Sequence, residues 1–156
     1  MKKKAKRIAK VMGNDSFEVV AQMVVDEAKG VRYEVYADGS CKKNKCGCGW
    51  LILHKGVIIK SGKYAFISTK ENDSVKAEIR AVIQALSDCP PSCSVDMYVD
   101  CQVAIERIRA YKLGDLQLIY NKVAKGKVIR YHWVKGHRGD MYNEMVDSLA
   151  FSAIES

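Results

Sequence analysis

Four carboxylates are spaced along the chain where a fold could gather them: Asp38, Glu78, Asp100 and Asp147. Carboxylate oxygens are the ligands of hard divalent cations such as Mg²⁺ or Mn²⁺. Four of them can hold two ions about 3.5–4 Å apart, one activating a water and the other stabilising a leaving oxygen. Such a cluster repels itself, so at least one member should carry a raised pKa when no metal is bound. Taken singly, each has a plainer reading. Asp38 suits an Asp-Gly turn, Asp100 a helix N-cap, Glu78 a surface helix charge and Asp147 an ion pair with Lys or Arg. Asp147 is the most informative, because it lies among Val146, Leu149 and Ala150, where an unbalanced carboxylate is costly to desolvate. His137 lies between Gly136 and Gly139 on a loop ahead of Asp147. A loop histidine there suits proton transfer near neutral pH, against the plainer reading of a surface imidazole. His54 and His132 read as ordinary strand residues.

The elements that must position these residues follow from periodicity. Val31, Tyr33, Val35 and Ala37 alternate with Arg32, Glu34, Tyr36 and Asp38, the period of a strand. The reading ends this strand at Asp38, with Asp38-Gly39-Ser40 as a turn. Trp50 to His54 and Val57 to Ile67 read as two further strands joined at Lys55-Gly56, a hairpin signal weaker than Asn-Gly. Asn72 to Asp88 reads as a helix with Val75, Ile79, Val82, Ile83 and Leu86 on its apolar face, stopped by Cys89-Pro90-Pro91. Then come a strand from Val95 to Val99, a helix from Val103 to Ala110 and a helical stretch from Leu113 to Val123. A strand from Val128 to Val134 and a helix from Met141 to Ile154 complete the order. Three antiparallel strands, then strands separated by helices, predict an α/β fold: a mixed sheet covered by helices. Asp38 and Asp100 then fall at the carboxyl ends of strands, where α/β proteins place their sites.

Bulk properties narrow the class. Lys and Arg number 26 against 18 Asp and Glu, a formal charge of +8, which favours polyanionic partners. No apolar run approaches the roughly 20 residues of a membrane span, and no apolar stretch of signal-peptide type follows the basic start. A cytoplasmic protein with no membrane association is the expectation. The six Cys then read as free thiols. Cys46 with Cys48, and Cys89 with Cys93, lack the matching second half of a zinc site; Cys41, Cys46 and Cys48 cluster in one expected loop, which leaves oxidation there open without supporting it. Residues 1–30 read as an extension: a tail with Lys2, Lys3, Lys4, Lys6, Arg7 and Lys10, then an amphipathic helix with Phe17, Val20, Ala21, Val24, Val25 and Ala28 at spacings of three and four. Residues 31–156 form the main domain.

These residues carry a family resemblance. Tyr36-Ala37-Asp38-Gly39-Ser40-Cys41, continuing through glycines to Trp50, resembles the first motif of type 1 ribonuclease H. Ala77-Glu78-Ile79 with Ala81 and Leu86 resembles the second, and Tyr98-Val99-Asp100-Cys101-Gln102 the third. Gly136-His137, then Asn143-Glu144 and Asp147-Ser148-Leu149-Ala150, resembles the fourth and most specific. The resemblance spans about Val31 to Ala150 and implies a ribonuclease H-like sheet of five strands, three antiparallel and then two parallel, flanked by helices. It implies an endonuclease acting on the RNA strand of an RNA–DNA hybrid; a monomer is the separate expectation for the chain. Asp38, Glu78, Asp100 and Asp147 would be ligands of two Mg²⁺ or Mn²⁺ ions, and His137 would assist proton transfer or product release. Gln102, Asn143 and backbone atoms at Gly39, Ser40 and Cys41 would contact substrate, where 2′-hydroxyls distinguish RNA from DNA.

The chain also departs from the pattern. Ser74-Val75-Lys76 stands where many members carry Asn-Asn-Arg, and the stretch from Asp100 to Trp133 has no tryptophan-bearing basic protrusion. Lys112, Lys122, Lys125, Lys127 and Arg130 compensate partly, and the lysine tail is a candidate for phosphate contacts. Two other readings stay open: a silent hybrid-binding module of the same fold, and a related nuclease acting on DNA.

Overall fold

The structure, a computed structural model, describes residues 30–135 and 140–155. Its strands are β1 (Arg32–Lys42), β2 (Lys45–His54), β3 (Val57–Ile67), β4 (Ser94–Val99) and β5 (Val128–Trp133). Its helices are α1 (Ser74–Ser87), α2 (Gln102–Arg109), α3 (Gln117–Ala124) and α4 (Met141–Glu155). The sheet runs β3-β2-β1-β4-β5. β1, β2 and β3 pair antiparallel, whereas β4 pairs parallel with both β1 and β5. Parallel neighbours need crossovers; α1 leads from β3 to β4, and α2 with α3 lead from β4 to β5. The expected mixed sheet of three antiparallel and two parallel strands is therefore present.

Side-chain alternation splits the core in two. Val35, Ala37, Cys48, Trp50, Ile52, Val95, Met97 and Val99 face α1 with its Ala81, Val82 and Leu86. On the other face Tyr36, Leu51 and Leu53 meet Val146 of α4, with Tyr142 and Leu149 beside it. Burying one side chain of the size of Leu51 or Ile83 contributes about 1.5–3 kcal/mol. The far end of α1 is tied to the sheet by Asp88, which accepts a hydrogen bond from the Trp50 indole at 2.8 Å and pairs with Lys60 at 3.1 Å.

Three expectations need correction. First, β1 does not end at Asp38 but continues to Lys42, and β2 starts at Lys45, not Trp50. The added ladder pairs Asp38 with Gly49, Gly39 with Cys48, Ser40 with Gly47 and Cys41 with Cys46. The reversal falls after Lys42, where Lys43 adopts φ 56°. Asp-Gly mimics a turn signal here because Gly39 is needed for packing, not for reversal. Second, Cys41 and Cys46 form a disulfide. They are neighbours across the hairpin only in this register, which a loop reading hides. Cys48, Cys89, Cys93 and Cys101 remain thiols. Third, the stretch from Leu113 begins with a 3₁₀ turn, Gly114–Leu116, and becomes α-helical only at Gln117, since Gly114 takes φ 56°, outside the helical region. The Lys55-Gly56 hairpin does form; both residues have positive φ (50° and 77°), as a two-residue turn of the right twist requires.

Candidate active site

Asp38 lies on β1 beyond Tyr36, the last residue paired with β4, so its carboxylate sits where the parallel strands part. Asp100 immediately follows β4. Its backbone is pinned by Trp133, whose indole N–H donates to the Asp100 carbonyl at 3.1 Å. Glu78 reaches the same place from the first turns of α1, and it is buried, 6% exposed, not a surface charge.

Glycines set the helix heights. A Cβ on Gly39 would stand 2.2 Å from the Ala77 carbonyl carbon and 2.4 Å from the Glu78 nitrogen. Only a bare backbone lets α1 lie this close, and the residue after Ala77 is Glu78. The Ala77 carbonyl also accepts the Cys48 thiol at 3.4 Å. On the opposite face a Cβ on Gly47 would stand 2.1 Å from the Ala150 carbonyl oxygen, and one on Gly49 2.5 Å from that of Val146. Asp147 lies between those two helix residues, half-buried.

Asp38, Glu78 and Asp100 each offer an oxygen, and these oxygens lie within 4.8 Å of one another. Burial, with Asp100 and Asp147 nearby, pushes the Asp38 carboxyl up to about 7. Glu78 beside it is driven well above the carboxylate range, by burial first and by Asp38 second. Burial and mutual repulsion therefore favour a proton shared within the pair when no metal is bound. Glu78 Oε2 is buried without a hydrogen-bond partner among the described residues. An orphaned buried carboxylate oxygen beside two further carboxylates is the donor set of a hard divalent cation.

The remaining expected residues fall in different settings. Asn143 is buried at 2% exposure at the start of α4; its backbone N–H donates to Asp140 Oδ1 at 3.0 Å, and its side-chain oxygen is unpartnered among the described residues. It precedes Asp147 by one helical turn and so shares its face. Gln102 is exposed at the start of α2, while Ser40 and Cys41 are partly buried on β1. Cys41 has its sulfur engaged in the disulfide, leaving its backbone as the contact group. Gly136 and His137 lie outside the described residues. The sequence reading missed the packing role of Gly39, Gly47 and Gly49 and the anchoring role of Trp133. The Gly-x-Gly at 47 and 49, on one face of a strand, was the available signal for a close helix.

The RNase H family profile matches residues 31–155. The chain belongs to the RNase H family. RNase H relatives include a "Ribonuclease H" of Campylobacter jejuni, 32% identical over 77% of this chain and 89% of its own length. A "Ribonuclease H" of Legionella pneumophila is 28% identical over 80% of this chain and 98% of its own. The RNase H fold is matched by the N-terminal RNase H domain of a Mycobacterium tuberculosis protein, solved as a maltose-binding-protein fusion. It has a TM-score of 0.68 and 22% identity, covering 81% of this chain and 95% of that one. RNase H1 of the archaeon Halobacterium salinarum gives 0.64 and 20%, covering 80% and 98%. RNase H proteins are metal-dependent nucleases, and the acidic cluster with its orphaned Glu78 oxygen fits such a metal.

Proposed function

We propose that this chain is an endonuclease that hydrolyses the RNA strand of RNA–DNA hybrids using two divalent cations, Mg²⁺ or Mn²⁺, held by Asp38, Glu78, Asp100 and Asp147. The observation that carries the reading is the convergence of Asp38, Glu78 and Asp100 within 4.8 Å in a chain of this family. When bound, the ions supply an activated water and neutralise charge on the leaving oxygen.

The protein's own part is positional. Asp38 and Glu78 give up their shared proton and turn repulsion into a cation site. Trp133 holds Asp100 by its backbone. Gly39 and Gly49 set α1 and α4 at the heights that aim Glu78 and Asp147. His137 keeps the role of its motif, proton transfer or product release. Gln102, Asn143 and the backbone of Gly39, Ser40 and Cys41 are proposed to contact the RNA strand. One chain carries the whole cluster, which is the basis for proposing a monomer, and nucleic-acid metabolism fits a cytoplasmic location. Among the described residues no helix is long and apolar enough to cross a membrane.

One observation bears on the silent-module reading. Lys76, in the altered stretch at the start of α1, pairs with Asp115 at 3.0 Å. Asp115 is 75% exposed, so the pair is weak and Lys76 can exchange it for a phosphate. Incubating the chain with labelled hybrid, duplex RNA and duplex DNA in Mg²⁺ separates the readings: cleavage confined to the RNA of the hybrid supports the nuclease, and binding without cleavage supports the module.

A further inference from the structure

A cavity of about 680 Å³ lies away from the acidic cluster, where the end of α2, α3 and β5 meet. Arg109, Tyr111, Asn121, Lys125, Lys127 and Tyr131 line it, and no carboxylate does. β5 is the outer strand of the sheet. α2 runs beside it, with the Arg109 guanidinium donating to the Tyr131 carbonyl at 3.2 Å. A second cavity of about 150 Å³ is lined by Gln102, Ile105, Glu106, Arg109 and Trp133. Arg109 lines both, so the two cavities are neighbours along β5 and together make a track with Arg109 at its middle. At its near end stands Trp133, 46% exposed and bonded to the Asp100 backbone. At its far end stands Tyr111, 75% exposed. Tyr111 also has φ 54° at the end of α2, a place where glycine is usual.

We propose that this track binds an unpaired nucleic-acid strand continuing beyond the hybrid. Trp133 and Tyr111 stack on bases, and Arg109, Lys125 and Lys127 meet phosphates. The identity of the strand at its near end rests on the hybrid-cleavage reading; the track itself does not. Aromatic faces reach only bases that are free of a duplex, and cations alternating with exposed rings are the composition of single-strand grooves. The lone carboxylate, Glu106, lies in the small cavity beside Trp133, where the contact is with a base and not a phosphate. From Trp133 to Ile129 the strand spans roughly 13 Å, about four nucleotides at the 3.4 Å spacing of a stacked strand.

The test is fluorescence anisotropy of the full chain in EDTA, which prevents cleavage. The probes are a short blunt hybrid and the same hybrid with an unpaired extension of about eight nucleotides, made in RNA or DNA and on either end. The extension should tighten binding roughly tenfold for at least one version, and which version does so assigns the strand. In Tyr111→Ala/Lys125→Gln the gain should fall below about twofold, while Tyr111→Phe should keep it, since stacking needs only the ring. Melting curves of both variants that overlay the wild type show that the fold is not the cause. Equal wild-type binding of blunt and all extended probes would overturn the proposal, as would a gain that survives in the double variant. Cleavage of the blunt hybrid in Mg²⁺, scored separately, decides the enzymatic reading, so the two can fail independently.

Discussion

Gly39 of β1 and Ala77 of α1 meet with no room for another atom, a Cβ on Gly39 falling 2.2 Å from the Ala77 carbonyl carbon. Asp38 precedes one partner and Glu78 follows the other, so a packing contact sets the separation of two carboxylates of the acidic cluster. The approach of those carboxyl oxygens to within 4.8 Å is a consequence of that contact.

Gly39→Ala should therefore cost both stability and activity. The added methyl meets backbone, which cannot rotate away, so α1 must lift. Overpacking of this kind costs about 1–3 kcal/mol or more, and hybrid cleavage should drop at least about a hundredfold because a misplacement near 1 Å is enough for that. Urea denaturation and initial cleavage rates check the two effects. Wild-type values in both would mean that Gly39 is not the spacer.

The metal-free protein should lose stability as pH rises. Asp38 is raised to about 7 from 3.8, and Glu78 is raised as well. Between about pH 4 and 7 the native state holds protons that the unfolded state has released, so stability is fully present below the unfolded pKa and falls through this window. Mg²⁺ binds the deprotonated acids and should raise the Tm more at pH 8 than at pH 5.5. Calorimetry with and without metal reads both trends, and a metal-free protein more stable at pH 8 would contradict the electrostatics.

Thiol titration in denaturant should find four thiols without reductant and six after it, because Cys41 and Cys46 are joined. Closing so short a loop stabilises by about 2 kcal/mol in the chain-entropy account, so reduction should lower the Tm modestly. Six thiols in unreduced protein would show the hairpin open.

Deleting residues 1–10 removes six basic side chains. If the tail meets phosphates, hybrid affinity should weaken and the slope of log affinity against log salt should flatten. An unchanged slope would assign those contacts to the folded domain.

Periodicity made the element order legible, and with it the four acids. Their clustering could be argued from Asp38 and Asp100 at strand ends and from Asp147 among apolar neighbours. What stayed hidden depends on register. The Asp38-Gly39 pair looks like a turn until β2 is seen pairing Gly39 with Cys48. The Cys41–Cys46 disulfide requires the same register. Glu78 reads as a surface charge because its burial arises from the approach of α1 to Gly39 on β1, a long-range contact that no local pattern records. His137 lies outside the described residues, so its part rests on its motif.

The most direct test is cleavage of a labelled RNA–DNA hybrid in Mg²⁺ by the wild type, Asp38→Asn and Glu78→Gln, each shown to be folded by circular dichroism. The account predicts cuts in the RNA strand by the wild type and a loss of about three orders of magnitude in rate in either variant. Undiminished cleavage by the variants, or none by the wild type in Mg²⁺ or Mn²⁺, would contradict it.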